Sequence, residues 1–481
     1  MRTGPWRTQK AETDARGQRS PPRPRYLFCR SAKTGTQRLP FFIAYHYPPI
    51  RSAGIERTVK FLRYLPEFGY QSRVLTTSAF GEYAVGEHAV DDSSSTQVLR
   101  AWEPLGLYRR LFNRKVRAGG AASFVRTEPG ALGGLLRTLR RFALIPDGQL
   151  TWLPAALRCA LSSLRDRPAH LLYSTSPPAS AHLLGLWLKR RTNLPWVADF
   201  RDAWTYDPLD PALEEMPYRL ALERRLEEAV VEAADVSIAA TDISAEYLRR
   251  TYPAAADKIH VITNGFDPDD FGDIDTSARP LAGEPLTLVH TGSFSASHPQ
   301  RTPLPLFAAL TELLRLDPTW AGRLRLVLVG HLSPEERDAA TPLVDRGIVE
   351  LAGPQERPQA LAFQTRAHIL LLGDHPRPWP ASNVPGKFYE YLAMQRPILA
   401  LTGPGMVARL IEQLQVGYCA PPDDSQAICS SLQDLYARFV AGRLHARIDD
   451  ASIHPFHRRQ LTGQLAHCFD HLLDTRRRSD R

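Results

Sequence analysis

The chain alternates between short, uninterrupted apolar runs and longer segments whose apolar residues recur every three or four positions. Runs bounded by Gly, Pro, Asp or Asn read as strands buried on both faces, and the wider spacing reads as amphipathic helix. In the first half this predicts strands at Phe41–Ala44, Val74–Thr77, His170–Ser174, Trp196–Asp199, Val236–Ala239 and Ile259–Thr263. Helices are predicted over 57–68, 179–191, 213–233 and 242–251. In the second half, strands at 286–290, 324–329, 348–351, 367–372 and 397–400 alternate with helices at 304–315, 334–345, 356–365, 385–394 and 405–415. A last helix covers about 456–474. Such alternation builds a parallel, doubly wound α/β sheet. Two stretches interrupt it. Phe266–Pro285, with Asp267-Pro-Asp-Asp270 and Gly283, reads as an interdomain linker, and 105–145 is an arm rich in Leu and Arg. At 481 residues the chain exceeds one ordinary core, so two Rossmann-like domains are expected.

Composition narrows the classes. No period of solenoid type is present, and no apolar run approaches the roughly 20 residues that span a bilayer. Residues 1–38 are basic and Pro-rich without an apolar core segment, which reads as a disordered extension rather than a secretory signal. Five scattered cysteines (Cys29, Cys159, Cys419, Cys429 and Cys468) fit reduced thiols in a cytoplasm. The net charge of +9 is concentrated: residues 1–40 hold ten Lys/Arg against two Asp/Glu, and 105–145 hold nine against one. Such patches attract anionic lipid or nucleic acid. They lack the interleaved aromatics that stack bases, so no nucleic-acid partner is expected. Within the arm, Leu132, Leu135, Leu136, Leu139, Phe142 and Ala143 fall at helical spacing among Arg137, Arg140 and Arg141. Two readings stand equal: a basic amphipathic helix on an anionic membrane surface, or a helix whose Leu face packs on its own domain.

The densest chemistry lies in Asn383-Val-Pro-Gly-Lys-Phe-Tyr-Glu390-Tyr-Leu-Ala393, closed by Arg396-Pro397. A helix opening near Pro385 leaves the N–H groups of Gly386 and Lys387 free, where the helix dipole favours an anion. Lys387 and Glu390, three apart, share a face, so a carboxylate reaches the rim of an anion site as a ribose diol beside a diphosphate requires. An ordinary amphipathic helix is the competing reading. His290-Thr-Gly292-Ser293 ends a strand, where Gly292 and Ser293 offer N–H groups to a diphosphate. Arg301 pairs with it or stands as a solvated loop charge. Gly54 opens a strand-to-helix loop where backbone N–H groups meet phosphate or sugar, or simply makes a tight turn. Asp199, Arg201 and Asp202 crowd one strand end, as a loop-fixing Arg–carboxylate pair or as contacts to a reacting sugar. Asp267-Pro-Asp269 and Asp207-Pro-Leu-Asp210 are decoys: the first imitates an Asp-x-Asp metal site, but it sits in a linker where turn chemistry explains it. No metal and no cofactor are expected.

Taken in their order along the chain with several further segments, these motifs resemble family 4 retaining glycosyltransferases. The matching stretches are Tyr47-Pro-Pro-Ile-Arg-Ser-Ala-Gly54 with Arg57, Ser174-Thr-Ser-Pro-Pro178, Val197-Ala-Asp-Phe-Arg-Asp-Ala-Trp204, Val261-Ile-Thr-Asn-Gly-Phe-Asp267, His290-Thr-Gly-Ser-Phe294 and Leu326-Val-Leu-Val-Gly330. With the helix at Glu390 they are spread over about residues 41–470. The resemblance implies the GT-B fold, two Rossmann-like domains facing a cleft. Its expected parts are a basic extension (1–38), an acceptor domain (39–268), a donor domain (283–455), and a crossover helix with a basic tail (456–481). It implies a nucleoside-diphosphate-sugar donor, an acceptor hydroxyl and retention by front-face attack; the cysteines add a cytoplasmic location, and the membrane reading of 105–145 adds a glycan or lipid-linked acceptor and a peripheral place on the inner face of the plasma membrane. The family's Glu-x7-Glu signature puts the ribose-binding carboxylate at Glu390 and places Ser382 where the family's first Glu meets the donor sugar. The expected donor-binding residues are Gly54, Gly292, Ser293, Arg301, Gly386, Lys387 and Glu390; Asp199, Asp202 and Ser382 are the catalytic candidates. A nucleotide-sugar epimerase or hydrolase of the same fold, or a non-catalytic sugar-nucleotide-binding protein, is the alternative.

Overall fold

The computed structural model describes residues 38–50, 54–78, 96–103, 144–207, 213, 216–272, 274–276, 280, 283–295, 298, 300–444 and 448–479. The extension over 1–37, most of the basic arm and Asp210 therefore lie outside the described residues.

The first half holds strands β1 (Pro40–Ile43), β2 (Arg73–Thr77), β3 (Gln97–Ala101), β4 (Leu171–Ser176), β5 (Trp196–Phe200), β6 (Val236–Ala239) and β7 (Ile259–Val261). They form one sheet in the order β3-β2-β1-β4-β5-β6-β7, every pair parallel. Helices α1 (Ile55–Tyr64), α2 (Leu153–Asp166), α3 (Ser180–Thr192), α4 (Pro217–Ala233) and α5 (Asp242–Thr251) belong to this half. The second half holds β8 (Leu286–Thr291), β9 (Leu324–Val329), β10 (Val349–Leu351), β11 (Ile369–Gly373), β12 (Ile398–Leu401) and β13 (Gly417–Ala420). Their order is β10-β9-β8-β11-β12-β13, again all parallel. The helices here are α6 (Leu304–Leu316), α7 (Pro334–Asp345), α8 (Arg357–Thr365), α9 (Gly386–Ala393), α10 (Met406–Leu414) and α11 (Ser425–Val440), and α12 (Arg458–Ser479) ends the chain. This is the α/β, doubly wound parallel architecture that the alternation implies, in two Rossmann-like halves as the resemblance to GT-B enzymes implies.

The central strands are the unbroken apolar runs because helices cover both faces, and β1, β4 and β11 are buried at every position. Four elements carry no such signal and escape the sequence pattern. The edge strand β3 exposes three of its five residues, and β13 is an edge strand of only four residues. Their helices α2 and α11 fall outside the alternation with them. The order of strands reverses between β1 and β4, and again between β8 and β11, so the loops leaving these strands border a crevice where ligands bind.

The chain crosses between the halves twice, side by side. Phe266 N–H donates to the Phe456 carbonyl (3.0 Å), and Arg458 N–H donates to the Phe266 carbonyl (2.8 Å). Beyond this bridge, α12 lays Leu461, Leu465, Ala466, Phe469 and Leu473 against Phe42, Phe61, Leu62, Leu65 and Tyr173 of the first half. Gly265 permits the approach, since a Cβ there would lie 1.9 Å from the Phe456 carbonyl oxygen. Gly265→Ala is expected to lower unfolding free energy by about 1–3 kcal/mol, the usual cost of overpacking. Gly322→Ala, where a Cβ meets nothing within 4 Å, is the control expected to stay near the parent in urea unfolding.

Candidate functional site

In the second half, two strand ends and the Lys387 side chain close on one point because Gly292 and Gly330 carry no side chain there. β8 runs into Gly292, whose φ of +110° suits glycine, and whose N–H donates to the Val329 carbonyl (2.6 Å). A Cβ on Gly292 would lie 2.0 Å from Lys387 Nζ, and a Cβ on Gly330 would lie 2.2 Å from the Gly292 carbonyl oxygen. The Lys387 ammonium is thereby packed onto the glycine turn that Ser293 follows. The helix α9 begins at Gly386, one residue after the expected Pro385, with no side-chain cap and open space at the Gly386 Cα. Its first N–H groups and its positive dipole end face the same region.

Burial, reinforced by the Arg301 charge and opposed by Glu390, lowers the Lys387 pKa to about 8. Arg301 lies 3.6 Å from Asp374 at the end of β11. Burial opposes ionisation of Asp374, yet the His375 hydrogen bond and the Arg377 and Arg301 charges bring its pKa to about 2. The Glu390 carboxylate is aimed by two partners: Gln364 Nε2 donates to it (2.5 Å) and Arg357 pairs with it (3.2 Å). Gln364 is itself fixed by donating to Thr291 Oγ1 (3.0 Å). The structure thus brings Gly292, Ser293, Arg301, Gly386, Lys387 and Glu390 into one region of the second half. Gln364, Arg357 and Asp374 are its supports, which no local pattern in the sequence signals.

In the first half, the expected cluster at the end of β5 divides. Asp199 is fully buried: Arg57 donates to it through Nε (2.9 Å) and Nη2 (2.8 Å), Tyr173 OH at 2.6 Å and Thr175 Oγ1 at 3.2 Å. Burial would raise its pKa, but the Arg57 charge and these donors hold it below the ordinary value. Asp199 is therefore a strut and not a group that meets substrate, which corrects the sequence expectation. Arg201 pairs with neither expected carboxylate in hydrogen bonds; it donates to the carbonyls of Ser176 (3.0 Å) and Pro177 (2.5 Å). Gly54 exists for this guanidinium, since a Cβ there would lie 2.6 Å from Arg201 Nη1. Asp202 is half-buried and borders a cavity of about 620 Å³ with His46, Ser176, Pro177 and Trp204. Burial raises the Asp202 carboxyl pKa against the pull of Arg201.

Ser382 also departs from expectation. It is fully buried, and its N–H and hydroxyl both donate to Asp207 (3.0 Å each), so its side chain is not presented to a ligand. Asp267 caps the turn at Pro268–Phe271 and pairs with Lys60 (2.8 Å), as turn chemistry implies. Among the described residues no group of three or more His, Cys, Asp or Glu is arranged to hold a metal ion, and no helix is long and apolar enough to cross a membrane.

Comparisons with known proteins agree with this layout. Residues 53–265 match the family described as the glycosyl transferase 4-like domain. A D-inositol 3-phosphate glycosyltransferase of Stackebrandtia nassauensis is 37% identical over 113 residues, 23% of this chain and 26% of that protein. The chain thus spans about a quarter of the length of the curated relatives it matches. Sucrose-phosphate synthase from Thermosynechococcus elongatus shares the fold with a TM-score of 0.62 at 14% identity, covering 91% of this chain and 100% of that one. The Anabaena protein HepE in complex with UDP does so with a TM-score of 0.56 at 15% identity, covering 90% and 99%.

Removing one partner of the Arg57–Asp199 pair strands a buried charge, at a typical cost of about 3–5 kcal/mol. Asp199→Asn is expected to lose stability in that range by denaturant unfolding, and Arg57→Met/Asp199→Leu to lose less than either single change.

Proposed function

We propose that this chain, which carries a glycosyl transferase 4-like domain within a GT-B fold, moves a glycosyl group from a nucleoside-diphosphate sugar to an acceptor hydroxyl with retained configuration. The observation that carries the reading is the Lys387 ammonium packed on the Gly292 turn at the open start of α9. That arrangement offers a diphosphate one buried cation, Arg301 as a second, and a row of N–H donors. Such preorganised groups stabilise the negative charge that grows on the leaving diphosphate. Glu390, aimed by Gln364, takes the ribose hydroxyls. The HepE neighbour, solved in complex with UDP, supports a nucleotide as a ligand of this fold.

In the reaction the bond from the anomeric carbon to the diphosphate oxygen breaks, and a bond to the acceptor oxygen forms on the same face. The acceptor proton passes to the departing phosphate. The cavity beside Asp202 is where the acceptor enters, with the raised Asp202 carboxyl orienting its hydroxyl. A glycan or lipid-linked acceptor, in surface polysaccharide or glycolipid synthesis on the cytoplasmic membrane face, fits the basic amphipathic pattern of 105–145. Each basic residue near an anionic surface contributes roughly 1 kcal/mol. Co-sedimentation should therefore favour anionic over neutral liposomes, and Arg137→Glu/Arg140→Glu/Arg141→Glu should abolish the preference; indifference to lipid charge removes the membrane part of the reading.

A thermal-shift screen of nucleotide sugars, followed by product analysis, tests the activity and separates transfer from hydrolysis. Glu390→Ala should weaken donor binding by about 1.5–3 kcal/mol, the worth of a charge-assisted hydrogen bond; unchanged affinity in calorimetry would sink the pocket assignment. Donor affinity should also depend on pH through Lys387. Its free-state pKa is about 8, and a bound diphosphate raises it. Affinity is therefore full below pH 8 and falls as pH rises above it, with proton uptake on binding that Lys387→Arg removes.

A further inference from the structure

The loop leaving β5 is tied down residue by residue and then reaches across the cleft. Trp204 Nε1 donates to Glu223 (2.7 Å) and Thr205 Oγ1 to Glu227 (2.6 Å), both on α4. Tyr206 OH then donates to the Pro380 carbonyl (3.0 Å) of the other half. Asp207 completes the crossing: its carboxylate accepts from Arg377 Nη1 (3.0 Å), Trp379 Nε1 (3.2 Å), Ser382 N–H (3.0 Å) and Ser382 Oγ (3.0 Å). It is 7% exposed. Four donors from one segment of the opposite half converge on a single carboxylate. That carboxylate lies five residues after Asp202, on the same loop. The receiving segment runs directly into α9 and Lys387. The sequence motif Asp207-Pro suggests only a turn.

Asp207 lines neither the Lys387–Gly292 point nor the acceptor cavity; its charge helps raise the Asp202 carboxyl pKa, and its hydrogen bonds act through what they hold. We propose that Asp207 is a positioning residue for glycosyl transfer: by clasping residues 377–382 it fixes the loop bearing Asp202 at one distance from the donor end of α9. The inference rests on the function proposed above. Removing the carboxylate leaves Arg377 bonded to Asp374 (2.9 Å), and Asp374 still faces Arg301. The donor-side cations therefore stay in place, and the loop bearing Asp202 loses its clasp on residues 377–382. A displacement of about 1 Å between reacting groups costs on the order of 100-fold in rate.

The test uses the full chain with Asp207→Ala and Asp207→Asn, each checked for parent-like thermal unfolding. With the best donor from the screen, Asp207→Ala should keep the parent's donor Kd in calorimetry while kcat falls on the order of 100-fold. Asp207→Asn, which still accepts from Ser382 but lacks the charge facing Arg377, should fall between them and serves if the alanine variant does not fold. Hydrogen exchange supplies a readout independent of turnover: the Ser382 amide should exchange faster in Asp207→Ala than in the parent. A parent-like kcat, or an unchanged Ser382 exchange rate, overturns the proposal while donor binding and transfer by the parent leave the proposed function standing. A parent chain that transfers no sugar overturns the function and this inference with it.

Discussion

The buried pair between Arg57 and Asp199 is the constraint on which the first half of the cleft depends. The two residues are 142 positions apart, and their contact joins α1 to the end of β5. The same guanidinium donates to the carbonyls of Ile262 (2.9 Å) and Thr263 (2.7 Å), so it also fixes the exit from β7 toward the crossing at Phe266. In a low-dielectric interior a charge pair persists only when its remaining donors and acceptors are met, and here Tyr173 and Thr175 complete the carboxylate. With that strut in place, Arg201 is left to bond backbone carbonyls after β4, and Gly54 supplies the room it occupies.

The second half is organised by absence of bulk instead of by charge. Gly330 admits the Gly292 carbonyl, and Gly292 admits the Lys387 side chain, so two strand ends and a helix start meet without intervening atoms. The cations placed there are held by carboxylates behind them. Arg301 has Asp374 and Lys387 has Glu390 within electrostatic reach, but Arg377 and Arg357 share those two carboxylates, so the group keeps an excess of positive charge for an anion.

What the sequence disclosed follows the range of each interaction. Strands buried on both faces and helices with an apolar stripe are local patterns, and β6, β9, α5 and α7 have the bounds that spacing implies. The Lys387–Glu390 face is equally local, one helical turn. The edge strands β3 and β13 were not legible because an edge needs no continuous apolar run. Nor was the partner of Asp199: the sequence sets Arg201 two residues away, and only the sheet order brings Arg57 of α1 over β5. Asp207 and Ser382, 175 residues apart, share no sequence signal at all. Ser382 looks like a lost carboxylate in its own helix segment, whereas in three dimensions a carboxylate from the opposite half lies against it.

The paired crossing at Phe266 and His457 has a mechanical consequence. The two crossing segments are joined to each other by a single parallel bridge, so neither shifts without pulling on the other. A change that loosens α12 from the first half therefore also reaches the linker that enters the second.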